Sequence, residues 1–68
     1  MRICTEYIKL DSFLKAINEV GTGGEAKLLL AEGVVKVNGE VEMRRGRKLR
    51  PGDSVAVEGR NYLVEEDQ

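Results

Sequence analysis

The dipeptide Asn38-Gly39, set between Val35-Lys36-Val37 and Glu40-Val41-Glu42-Met43, limits what this chain can fold into more than any other feature. Asn-Gly readily takes the positive φ angles that a tight reversal demands, and alternating apolar residues on both sides make it a β-hairpin signal. Two registers compete. A two-residue turn pairs Val37 with Glu40 and Val35 with Glu42, whereas a three-residue connection pairs Val37 with Val41, Lys36 with Glu42 and Val35 with Met43. The second is expected, because it keeps one face apolar and sets opposite charges across from each other.

Upstream of Gly33 the apolar spacing is helical. Leu10, Phe13, Leu14, Ile17 and Val20 recur at intervals of three and four, which places them on one helix face. Asp11 suits the first turn of that helix, and Gly21 its left-handed end. Thr22-Gly23-Gly24-Glu25 has capping-box spacing, in which the hydroxyl and the carboxylate each satisfy an orphan amide. A second, short helix is therefore expected to run through Ala26–Glu32 and end at Gly33, with Ala26, Leu29 and Leu30 inward and Lys27 outward. Ahead of both helices, Ile3 to Ile8 partly alternate and predict an opening strand. Downstream, Pro51-Gly52-Asp53 predicts a turn, Ser54-Val55-Ala56-Val57 a strand, Glu58-Gly59-Arg60-Asn61 another turn, and Tyr62-Leu63-Val64 a closing strand. The fold class is α+β: two short helices in a helix-turn-helix-like pair, packed on a small, mostly antiparallel sheet of four to five strands.

Sixty-eight residues suffice for a single domain, 1–68, with a compact core. Cys4 is the one cysteine and histidine is absent, which removes an internal disulfide, the usual zinc sets and the common nucleophile pairs. Cys4 is expected as a half-buried strand residue rather than a reactive thiol. Gly21-Thr22-Gly23-Gly24 lacks the lysine and the preceding strand of a phosphate-cradling loop. No catalytic residue, metal or cofactor is expected, nor a small-molecule substrate, and the chain does not read as an enzyme. No apolar run approaches the roughly 18 residues of a spanning helix, and the first residues lack a secretion signal. The expectation is a cytoplasmic monomer with no membrane partner.

The net charge of −1 conceals a segregation. Residues 34–50 carry six basic against two acidic side chains, whereas residues 51–68 carry one basic against five acidic, ending in the acidic tail 65–68. Five of the seven residues in Arg44-Arg45-Gly46-Arg47-Lys48-Leu49-Arg50 are cationic. A polyanion responds to this local density, within a Debye length of about 8–10 Å, and not to the total. Arg44, Arg45, Arg47 and Arg50 bring a planar fork that can hold two phosphate oxygens. A charged loop can equally be a solvated face. Lys15, four residues after Asp11, is expected to pair with it. Tyr7, Phe13 and Tyr62 are too few for a base-stacking platform, and Phe13 belongs to the core.

The order Lys9-Leu10-Asp11, Phe13-Leu14-Lys15, Glu25-Ala26-Lys27, Gly33-Val34-Val35-Lys36-Val37-Asn38-Gly39, Pro51-Gly52-Asp53 and Val55-Ala56-Val57 resembles the S4-like RNA-binding domain, also known by its αL motif. Within that family it looks like the stand-alone YaaA/YbcJ-like members, over residues 7–58. The resemblance implies a protein that docks on structured ribosomal or transfer RNA, with ribosome assembly as one setting, on the surface where the helices meet the basic loop. It implies RNA contacts from Lys9, Lys27, Lys36 and Asn38, beside Arg44, Arg45, Arg47, Lys48 and Arg50. One departure stands out: many relatives carry a serine-arginine pair before the second helix, and Thr22-Gly23-Gly24 replaces it here. That removes an expected phosphate contact, although the glycines would let backbone amides approach a phosphate. A different reading stays open, a protein-interaction module whose basic loop meets an acidic partner surface, since arginine is enriched in protein interfaces too.

Overall fold

A computed structural model describes residues 2, 3 and 5–66, so the expectations for Cys4 and for the end of the acidic tail lie outside the described residues. The chain runs β1 (Arg2–Ile3), β2 (Ile8–Lys9), α1 (Leu10–Ala16), α2 (Gly23–Ala31), β3 (Val35–Val37), β4 (Glu40–Val41), β5 (Lys48–Leu49), β6 (Ser54–Val57), β7 (Arg60–Leu63) and β8 (Glu65–Glu66). Four strands form an antiparallel sheet in the order β4-β3-β6-β7. Two small ribbons flank it: β2 with β5, antiparallel, and β1 with β8, parallel. The expected α+β class holds, with two helices on a mostly antiparallel sheet.

The core lies where the helix pair meets the sheet. Leu10, Phe13 and Leu14 of α1, Ala26 and Leu30 of α2, and Val35, Val37, Val55 and Val57 of the sheet are all sealed from solvent. The Phe13 ring meets Tyr62 edge to face at 6.3 Å, and Arg60 reaches from β7 to grip both oxygens of Glu19 at 2.8–3.0 Å. These contacts tie β7 to the end of the first helical segment.

Several boundaries differ from those expected. The opening strand is two separate pieces, β1 and β2, because each finds its partner in a distant segment. The first helix closes at Asn18, whose φ of 61° supplies the left-handed residue expected from Gly21. Val20 is therefore buried beyond the helix, folded back so that its N–H donates to the Leu14 carbonyl. Gly21 has another part: its N–H donates to the Glu25 carboxylate at 2.8 Å, while the Glu25 N–H donates to the Thr22 hydroxyl at 3.1 Å. The capping box thus forms, reaching one residue further back than usual. The expected pairing of Asp11 with Lys15 is not among the ion pairs of the described residues.

The hairpin register is the main correction. Val37 pairs with Glu40 and Lys36 with Val41, so the turn is the two residues Asn38 and Gly39, with φ of 53° and 88°. Turn geometry overrode the apolar pattern: two successive left-handed residues give the turn whose twist suits adjoining strands. Asn38 is also bolted down. Its amide donates to Asp53 at 3.1 Å and its carbonyl accepts from the Ser54 N–H at 2.9 Å. The cost is that Val41 and Met43 are left 52% and 58% exposed while Glu42, opposite Val35, becomes buried. The same device recurs at Glu58-Gly59, so β7 begins at Arg60 rather than at Tyr62.

Candidate functional site

The first helix starts without a side-chain cap, and its leading amides need acceptors. They find them in the arginine-rich loop between β4 and β5: the Leu10 N–H donates to the Arg47 carbonyl at 2.8 Å, and the Asp11 N–H to the Arg45 carbonyl at 3.1 Å. A cationic loop that would otherwise be mobile is thereby fastened to a helix seated in the core. The next residues pair Lys48 with Lys9 and Leu49 with Ile8. Alternation along the ribbon sends Leu49 into the core and turns Lys9, Lys48 and Arg50 to the other face together with Tyr7. Like charges directly opposite each other destabilise a strand pair. Lys9 facing Lys48 is an arrangement that favours an anion, not folding.

Arg44, Gly46, Arg47, Lys48 and Arg50 line a shallow cleft of about 430 Å³. Four of these five residues are cationic and none is acidic. The Lys48 ammonium lies 4.9 Å from the centre of the Tyr7 ring and the Arg50 guanidinium 5.9 Å from it. Cation–π attraction of this kind, about 0.5–1 kcal/mol at an exposed site, steadies both side chains without neutralising them.

Arg44 and Arg47 are held differently. Glu42, 7% exposed, accepts from Arg44 Nε at 3.1 Å and Nη2 at 2.9 Å, from Arg47 Nη1 at 3.0 Å, and from the N–H groups of Met43 and Arg44. The Arg44 side chain, foremost, together with Arg47 and the Arg44 N–H, holds the Glu42 carboxyl at about 2 against an ordinary 4.5, overcoming the opposing effect of burial. Asp53 is lowered as well, chiefly by the Arg50 N–H and also by Asn38. A carboxyl more acidic in the folded than in the unfolded chain stabilises the fold while both states are ionised. For Glu42 that contribution is complete above about 4.5 and is lost as pH falls from there through about 2; Asp53 acts in the same direction. The urea midpoint should stay level above about pH 5 and drop below it, and Glu42→Gln should lower the neutral-pH midpoint while shallowing the acid drop. An unaltered acid profile in Glu42→Gln would contradict this assignment.

The structure therefore brings together Arg44, Arg47, Lys48 and Arg50, with Lys9 beside them through the ribbon. Arg45 is exposed on the same loop but outside the lining. Lys27, exposed on α2, and Lys36, on the outer face of the sheet, do not line the cleft. The Asn38 side chain is committed to Asp53 and Ser54. Two participants escaped the sequence reading. Tyr7 looked like a stray aromatic until the β2–β5 pairing set it under Lys48 and Arg50. Glu42 was expected opposite Lys36 in the hairpin, and only the two-residue turn directs it inward to the arginines.

The family model described as the S4 domain matches residues 1–65, which takes in both helices, the sheet and the cationic loop. The chain belongs to the S4 domain family. Among curated proteins it is 51% identical over 57 residues to the probable ribosome maturation protein RlbA of Bacillus subtilis (strain 168), covering 84% of this chain and 80% of that one. It is 36% identical over 58 residues to the proposed RNA-binding protein YbcJ of Escherichia coli (strain K12), covering 85% and 83%. Among solved structures the 30S ribosomal protein S4e of Thermoplasma acidophilum superposes with a TM-score of 0.73 at 23% identity, over 87% of this chain. That likeness speaks for the fold, and the chain spans 31% of that protein's length.

Proposed function

We propose that this chain is a stand-alone cytoplasmic RNA-binding protein that docks on structured RNA, ribosomal RNA of an assembling particle foremost, and acts as a monomer. The observation that carries the reading is the cleft, lined by Arg44, Arg47, Lys48 and Arg50 with no acidic residue, on a chain whose net charge is −1. Membership of the S4 domain family supports it, as do the names of two relatives, one assigned to ribosome maturation and one to RNA binding. The chain is not an enzyme: the family to which it belongs is of a non-enzymatic, RNA-binding kind. Lys48, Arg50, Lys9 and Arg45 have no carboxylate at ion-pair distance among the described residues. They are free to neutralise phosphates and release counterions.

Fluorescence anisotropy with a labelled ribosomal RNA stem-loop tests this. Four unpaired cations acting at roughly 0.7–0.9 per phosphate should give a log–log salt slope of about −3. Binding without salt dependence, or no binding at low salt alongside a stoichiometric protein partner on purification, would favour an acidic protein surface as the true counterpart instead.

A further inference from the structure

Glu42 is a puzzle in an anion-binding site. A negative side chain at the edge of a cleft for phosphates should weaken attraction, yet it collects more hydrogen bonds than any other carboxylate among the described residues. The bonds show what it does to its partners. Arg44 commits Nε and Nη2, and Arg47 commits Nη1. Arg44 Nη1 and Arg47 Nε and Nη2 keep N–H donors with no protein acceptor among the described residues, and both side chains line the cleft. Arg44 is otherwise 74% exposed and would sample many rotamers if released.

Resting on the RNA-binding reading above, we infer that Glu42 is a positioning and specificity residue: it clamps Arg44 and Arg47 into a fixed set of donors with low net charge, so that the cleft selects folded RNA over an arbitrary polyanion. Two free arginines would form a mobile double charge that any polyanion satisfies. Clamped around one carboxylate, the three side chains carry a single net positive charge and present directed donors, which reward only a phosphate placed to meet them. Long-range attraction is given up and geometric discrimination gained. The acidic character of the chain elsewhere works to the same end, by disfavouring indiscriminate contact with polyanions.

The experiment compares wild type, Glu42→Gln and Arg44→Lys in the full chain, measuring affinity for the labelled RNA stem-loop and for heparin. Glu42→Gln removes a negative charge, so heparin should bind more tightly, the salt slope should steepen by about one, and the preference for stem-loop over heparin should fall about tenfold. Arg44→Lys keeps the charge but loses the fork, and at an exposed site it leaves the fold intact; it should show the same loss of preference. If Glu42→Gln tightens both by the same factor, or if Arg44→Lys retains the wild-type preference, Glu42 is merely a repulsive charge and the inference fails. Wild type that does not bind the stem-loop at low salt would overturn the RNA reading itself, a result distinguishable because it precedes any comparison of variants.

Discussion

Replacing Lys48 and Arg50 together by alanine should lower affinity for structured RNA about 100-fold and reduce the salt slope by about 1.5–2, while leaving the fold in place. Both side chains line the cleft, and neither is matched by a carboxylate at ion-pair distance among the described residues. A charge-assisted phosphate contact at a partly exposed site contributes on the order of 1–2 kcal/mol, and two of them amount to about two decades in affinity. The loss to the protein is small, about 0.5–1 kcal/mol for each cation removed from the Tyr7 ring. Anisotropy titrations at several salt concentrations, with circular dichroism melts of the same samples, measure both. A drop in affinity with an unchanged salt slope would mean that these residues act through structure and not through phosphate.

Phe13→Ala should have the largest effect on the fold. Phe13 is fully buried between the helices and β7, with its ring against Tyr62. Truncating a buried phenylalanine costs about 3–5 kcal/mol. A domain of this size has a total stability of roughly 3–10 kcal/mol, so the substitution removes a large share of it. The melting temperature should fall by at least about 12 °C. Because α1 carries the Arg45 and Arg47 carbonyls on its leading amides, loosening its seat should also release the cationic loop. RNA affinity should decline with the folded fraction. A fall of under about 5 °C would show that the core relaxes around the gap far more than this packing allows.

The parts of this molecule that could be read from its residues are those set by local chemistry. Thr22 and Glu25 announce the start of α2, Asn38-Gly39 the hairpin, and Pro51-Gly52-Asp53 the turn before β6, because each signal is satisfied within a few residues. The ribbons were not legible. β1 and β2 are two residues each and owe their existence to partners some forty or more positions away, at Glu65–Glu66 and Lys48–Leu49. In the hairpin two rules conflict: apolar alternation favours Val37 opposite Val41, while the turn, anchored by Asn38 on Asp53 and Ser54, imposes Val37 opposite Glu40.

The site divides in the same way. Charge density alone singled out the Arg44–Arg50 segment, since neighbours in sequence must be neighbours in space. Lys9 joins it through strand pairing with Lys48, a contact that depends on a segment far along the chain. Lys27 and Lys36, expected from the same resemblance, stand away from the cleft lining. The Glu42 clamp depends on the register that the residues left undecided, and so the balance of free and neutralised arginines emerged only from the folded chain.

Amide chemical shifts followed by ¹H–¹⁵N correlation spectra, as a ribosomal RNA stem-loop is titrated into the labelled protein, give the most direct test of where RNA sits. The shifts should concentrate on Lys9, Gly46, Arg47, Lys48 and Arg50. Shifts confined to α2, or spread over the outer face of the sheet with the cleft unmoved, would contradict the account.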